Sequence, residues 1–251
     1  MALRSMLWDV DGTLADTERD GHREAFNLAF EEAGLARRWD VPTYGGLLAV
    51  TGGKERIRHD IDQGDMPPMD DAAIARLHAR KTAIYQDLIA SGRIPLRPGV
   101  RRLLEEAWEA GVTLGVATTT TPAALEALIE HSLGAEWFDR FAVLAAGDIV
   151  PAKKPAPDIY LHAMETLGAA PEETLALEDS ANGLRAARAA GLRCVVTVNE
   201  YTRGQDFSGA DLVVSDFGEP DAPPIEVLAN PHGLDDLHHV RLSHLQAVME
   251  A

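Results

Sequence analysis

A doubly wound α/β fold, with a parallel sheet flanked by helices and interrupted by one small helical insertion, is what this chain predicts. Three observations carry that reading. Six short apolar runs, at residues 3–8, 112–117, 141–145, 174–177, 194–198 and 212–214, mostly lack the clean alternation of half-exposed strands, which suits strands buried on both faces. Helical patterns at 101–110, 122–131, 158–167 and 184–190 separate the later runs. Finally, 251 residues exceed one ordinary domain and are modest for two, so a core with an insertion fits best.

In chain order, the strand at 3–8 leads directly into the acidic turn Asp9-Val10-Asp11-Gly12-Thr13. From about residue 16 to 92 helical stripes appear without a convincing strand. Ala25, Phe26, Ala29, Phe30 and Ala33 form one, stopped by Gly34. Ile74, Leu77, Ile84, Tyr85 and Leu88 form another, with Asp70 or Asp71 suited to cap its start. The expected division is therefore a discontinuous Rossmann-like core at 1–15 and 93–220 and a helical domain at 16–92. Hinges are expected near 14–17 and 92–98. Gly111, Gly168 and Gly191 each follow a helical pattern and supply the left-handed residue that stops it. Residues 221–251 read as a tail, rich in proline and acid at first and patterned as a helix over 234–249. Trp8, Trp108 and Trp137 are expected in the core or at domain packing.

Composition narrows the function. Forty acids against 23 bases leave a formal net charge of −17, a surface that repels phosphate backbones and anionic membranes. Neither nucleic acid nor membrane is an expected partner, although one small basic pocket for a phosphorylated metabolite remains compatible. The single Cys194 rules out an intrachain disulfide and any zinc site built on several cysteines. No apolar run approaches the ~18 residues that span a bilayer, and no long apolar signal segment is expected ahead of the first strand. A cytoplasmic, monomeric protein is expected.

Four polar clusters follow predicted strands, where ligands bind in doubly wound sheets. Asp9 and Asp11, spaced i, i+2, can divide nucleophile or metal-ligand work from proton transfer, or can be a plain acidic turn. Thr118, Thr119, Thr120 and Thr121 offer hydroxyls and amides to a phosphate, or an N-cap to the next helix. Lys154, held before Pro155, could neutralise a carboxylate nucleophile and a transferring group, or be one of a solvated lysine pair. Glu178 and Asp179 offer hard oxygens to Mg²⁺, while Asp179 or Ser180 could instead cap a helix. In combination the four clusters describe a phosphoryl-transfer site built around a carboxylate.

The same residues, Asp9–Thr13, Thr118, Lys154 and Glu178-Asp179, resemble the four motifs of the haloacid-dehalogenase-like hydrolase superfamily, over about residues 3–214. The inserted helices resemble that superfamily's cap. More narrowly, residues 16–23, 51–57, 145–148 and 177–185 resemble the CbbY-type sugar phosphatases. The resemblance implies Mg²⁺-dependent dephosphorylation of a small phosphosugar, xylulose 1,5-bisphosphate, an inhibitory by-product of Rubisco, to xylulose 5-phosphate. It implies that Asp9 attacks phosphorus, that Asp11 is the general acid and base, and that Lys154 stabilises charge. Thr118 and the amide of Thr119, with Thr120 beside them, would grip the transferring group. Mg²⁺ would be held by Asp9, the main-chain carbonyl of Asp11, Glu178 and Asp179. In the cap, Gly52 and Gly53 open a helix bearing Lys54 and Arg56, suited to a second phosphate or sugar hydroxyls, with Glu18 and His22 near the entrance. Two rivals share parts of this set: a phosphosugar mutase of the β-phosphoglucomutase type, and a signalling receiver with a phosphorylated aspartate.

Overall fold

The computed structural model describes residues 2–50 and 52–251, so Thr51 of the 51–57 motif lies outside the described residues. The chain divides into two compact units, one joining residues up to Asp16 with Pro95–Ala251, the other spanning Thr17–Ile94.

The first unit is built on a seven-stranded sheet: β1 (Ser5–Trp8), β2 (Thr113–Thr118), β3 (Phe141–Ala146), β4 (Thr174–Glu178), β5 (Arg193–Thr197), β6 (Leu212–Val214) and β7 (Val227–Ala229). Their spatial order is β3-β2-β1-β4-β5-β6-β7. Every pairing from β3 through β6 is parallel, and β7 runs antiparallel to β6. The inner strands β1 and β4 are buried at every residue, as the lack of clean alternation in their runs predicts. The register aligns the strand ends, for Trp8 stands beside Val116 on one side and Leu177 on the other. The carboxyl ends of β1, β2 and β4 are therefore level, and residues just past them become neighbours.

The second unit is helical. A π-helical segment, Thr17–Arg23, runs into α1 (Glu24–Glu32), followed by α2 (Val41–Leu47), α3 (Gly53–Asp62) and α4 (Asp71–Ala90). Asp40 and Asp70 cap α2 and α4, accepting from the amides of Thr43 at 2.8 Å and Ala73 at 2.7 Å. The stripe on α1 buries Ala25, Phe26, Ala29 and Phe30, and Phe26 and Phe30 both pack on the buried Trp39.

Helices α5 (Val100–Glu109), α6 (Pro122–Leu128), α7 (Trp137–Arg140), α8 (Asp158–Leu167), α9 (Ala181–Ala189) and α10 (Leu242–Glu250) complete the first unit. Ile159, Tyr160 and Ala163 of α8 and Leu184 and Ala187 of α9 share one buried core with Leu7, Ala176 and Val196 of the sheet. Two expectations change here. The tail contributes β7, whose three residues are all exposed and too few to register as an apolar run. Its helix begins only at Leu242 and not at 234, and Asp236 within the expected span adopts a left-handed conformation that a helix does not allow. Trp8 and Trp137 are fully buried, but Trp108 is 44% exposed on α5, with the Arg140 guanidinium 5.8 Å from its ring centre. No helix among the described residues is long and apolar enough to cross a membrane.

Candidate active site

Asp9 is the first residue past β1, and its amide donates to the Leu177 carbonyl at 3.0 Å. The chain then turns at once, with the Val10 carbonyl accepting from the amides of Thr13, Leu14 and Ala15. Gly12 makes this turn with a φ of +84°, and a Cβ there would collide with the Asp179 carboxylate and with Asn199. Across the sheet, β4 ends in Glu178, and Ser180 caps α9 by accepting from the Gly183 amide at 3.1 Å. The two roles that the sequence offers are thus divided: the serine caps the helix, and Asp179 turns to the strand ends.

Lys154 joins these segments. Its Nζ lies 2.7 Å from Asp9 Oδ1, 2.6 Å from Glu178 Oε1 and 2.9 Å from the Ala117 carbonyl. Burial works against the ammonium charge, yet the carboxylates of Asp9 and Glu178 outweigh it and hold Lys154 above the ordinary lysine range. Tyr160 supports the arrangement from α8, its hydroxyl donating to Glu178 Oε1 at 2.6 Å with its ring under the Lys154 ammonium. Burial pushes the Tyr160 phenol well up, which keeps it a donor.

Carboxylate oxygens of Asp9, Glu178 and Asp179 lie within 4.8 Å of one another, all three residues buried. Burial, reinforced by the charges of Asp9 and Glu178, drives the Asp179 carboxyl well above its ordinary range. Burial likewise raises Glu178 against the pull of Lys154. Three hard oxygen donors crowded out of water fit a small divalent cation, which would relieve their repulsion. Asn199, on the loop after β5, orients the third of them by donating to Asp179 Oδ2 at 2.8 Å.

Asp11 stands apart from that triad. Its carboxylate accepts a short hydrogen bond from the Thr120 hydroxyl, which also lies 3.0 Å from the hydroxyl of buried Thr118. Thr119 is exposed. Thr121 occupies the N-cap of α6 without a side-chain bond to it, so neither Thr120 nor Thr121 serves the capping role.

The helical unit holds a second polar cluster. Glu18 Oε2 accepts from the Tyr44 hydroxyl at 2.6 Å, and Arg56 donates to that hydroxyl at 3.1 Å and to the Val50 carbonyl at 3.0 Å. His22 stacks on Tyr85, ring centres 3.9 Å apart, and its Nδ1 lies 2.6 Å from Lys81 Nζ. Lys81 faces the rings of Phe26 and Tyr85. Burial brings Lys81 down to about 8, with Glu18 resisting and Arg56 assisting. Burial brings His22 down to about 4 despite Glu18. Gly52 and Gly53 open α3 as expected, with Gly52 at a φ of +97°. The two cations beyond them part company, for Lys54 is exposed while Arg56 joins the cluster.

Sequence reasoning overlooks Tyr44, Lys81, Tyr160 and Asn199, and reads Tyr85 only as part of an apolar stripe. For Lys81 a signal exists, since it lies on the apolar stripe of α4 between Leu77 and Tyr85, where a solvated lysine has no place.

The model of the haloacid dehalogenase-like hydrolases matches residues 3–191. The chain is 45% identical to the plasmid-encoded protein CbbY of Cupriavidus necator, over 99% of this chain and all of that one. It is similar to a solved Asp-to-Asn variant of CbbY from Rhodobacter sphaeroides in complex with xylulose 1,5-bisphosphate, with a TM-score of 0.71 and 46% identity over 86% of this chain and 96% of that one. The same protein solved with phosphate gives a TM-score of 0.72 at 47% identity, with the same coverage. The chain belongs to the haloacid dehalogenase-like hydrolases and, within them, to the CbbY-type phosphatases.

Proposed function

We propose that the protein hydrolyses xylulose 1,5-bisphosphate to xylulose 5-phosphate and phosphate, with Mg²⁺ bound and through a phosphorylated Asp9. The observation that carries the reading is the buried junction in which one ammonium bridges Asp9 and Glu178, with Asp179 completing an acidic triad. Similarity to a CbbY crystallised with the bisphosphate favours the substrate.

In this reading an Asp9 carboxylate oxygen forms a bond to phosphorus as the bond from phosphorus to the sugar oxygen breaks. Asp11 gives its proton to that leaving oxygen, then takes one from the water that attacks the aspartyl phosphate, releasing phosphate and restoring Asp9. The Thr120 hydroxyl, bonded to Asp11, fixes the carboxylate that moves both protons. Lys154 cannot leave its two acids without baring them, so it stays charged beside the transferring group throughout. Thr118 and the Thr119 amide grip the phosphoryl oxygens. Asp9, Glu178, Asp179 and the Asp11 carbonyl would hold Mg²⁺, which when bound neutralises charge between the phosphate and the carboxylates. In the helical unit, Glu18, His22, Arg56, Lys54 and the Gly52-Gly53 helix start read the non-reacting end of the sugar, with Tyr44 and Lys81 supporting them.

A phosphate-release screen over sugar mono- and bisphosphates with Mg²⁺ tests the proposal. A marked preference for the five-carbon ketose bisphosphate is expected. Isomerisation of a hexose phosphate with little phosphate release would favour the mutase, and a phosphorylated Asp9 stable for minutes would favour the receiver.

A further inference from the structure

Arg97 is the buried cation that the mechanism leaves unused, only 7% exposed. Its guanidinium donates to the carbonyl of Gly12, to the Thr197 carbonyl and hydroxyl at 3.1 Å each, to the Val198 carbonyl at 2.7 Å and to the Ser215 carbonyl at 2.6 Å. Its Nε lies 3.4 Å from Asp16 Oδ1. Four main-chain carbonyls from segments far apart in sequence thus converge on one side chain, a junction that the five donors of the planar fork suit.

The acceptors have a pattern. Gly12 packs so closely on the Asp179 carboxylate that a Cβ has no room, and Val198 immediately precedes Asn199, which donates to Asp179 Oδ2 at 2.8 Å. Arg97 thus grips both chain segments that flank Asp179. It also meets both crossings between the units along the chain. Asp16 is the last residue before the helical unit, and Arg97 comes just after the return at Pro95, where its amide donates to the Leu14 carbonyl at 2.8 Å.

We propose that Arg97 is a positioning residue for the reaction, holding Asp179 from two sides through Gly12 and Asn199 and tying that geometry to the segments that enter and leave the helical unit. The inference rests on the functional reading above. A lysine keeps the charge but lacks the planar fork, so it cannot reach these diverging carbonyls together.

The test is Arg97→Lys, measured by turnover of a small aryl phosphate, by calorimetric Mg²⁺ titration without substrate, and by amide exchange. We expect kcat to fall about 100-fold with KM nearly unchanged, as for a sub-ångström loss of alignment, and Mg²⁺ to bind roughly 10-fold more weakly. Exchange should quicken over residues 10–16 and 197–201 while β2 and β3 stay protected. A variant with wild-type kcat and Mg²⁺ affinity per folded molecule, altered only in melting temperature, overturns the proposal. Should Arg97→Lys not fold, Asp16→Asn and Thr197→Val decide, since each removes one side-chain partner of Arg97 and touches no residue proposed to hold the metal. Weaker Mg²⁺ binding in either supports the proposal and wild-type affinity in both refutes it. If the wild type turns over no phosphate ester, the functional reading fails, while the Mg²⁺ titration and exchange still judge Arg97.

Discussion

Two lysines with largely buried side chains, one in each unit, show how neighbours decide what the same ammonium group becomes. Lys154 sits between Asp9 and Glu178, and two carboxylates more than offset the cost of burial. Lys81 sits against a histidine and the rings of Phe26 and Tyr85, and burial brings it down to about 8. The first is a permanent charge, suited to a step in which negative charge must be held steady. The second gains or loses its proton close to neutrality and depends for its charge on what approaches it. In the proposed reading, one unit serves chemistry that is the same for every phosphate ester, and the other serves recognition that differs between sugars.

Variants can break or sharpen that contrast. The largest effect should come from Asp9→Asn, which abolishes turnover of every substrate while circular dichroism and melting stay native-like. Lys154→Met comes next, with kcat on both aryl and sugar phosphates down by on the order of 10³. If Lys154 did no more than balance charge in the fold, kcat per folded molecule would survive this change. Lys81→Met and Arg56→Ala should each lower kcat/KM on the sugar bisphosphate by about 10-fold or more, with a small aryl phosphate hardly affected. Equal losses on both substrates would make the cluster structural. Lys54→Ala should show the same selectivity in weaker form, because Lys54 is exposed whereas Arg56 is bonded to Tyr44 and Val50.

The smallest effect is a pH dependence of stability. An unfolded Lys81 keeps its proton up to the ordinary 10.5, whereas the folded one releases it near 8. Between those values the unfolded chain binds more protons, so Lys81 makes stability climb with pH. Lys154 has the opposite sign, since its raised value gives a contribution fully present below 10.5 and lost as the pH rises through the folded value. The melting temperature of wild type relative to Lys81→Met should therefore rise from pH 8 to 10. A flat difference would mean that Lys81 is not desolvated.

Much of the candidate site was legible in the sequence because its residues sit at strand ends. Asp9, Thr118 and Glu178 each end or follow an apolar run, and parallel pairing with Trp8 beside Val116 and Leu177 brings them level. Lys154 was legible from its place before Pro155, although its partners lie 145 and 24 residues away. The residues that stayed hidden are of another kind. Arg97 binds main-chain carbonyls, and carbonyls leave no trace in residue identity. Tyr44 and Asn199 act through side chains distant in sequence and carry no motif of their own. Exposed Trp108 shows the converse: an aromatic on an amphipathic helix suggests burial until Arg140 is found covering its ring.

The central claim is that Asp9 is transiently phosphorylated, as an acyl phosphate. Acid-quenched, single-turnover reaction with the phosphosugar, then reduction of the acyl phosphate with tritiated borohydride, which expels phosphate and leaves a labelled alcohol on the side chain, and mass spectrometry read it directly. The account predicts label and reduction on the peptide containing Asp9, formed and lost at rates that match turnover, and absent from Asp9→Asn. Turnover with no label on that peptide, or label on another residue, would contradict it.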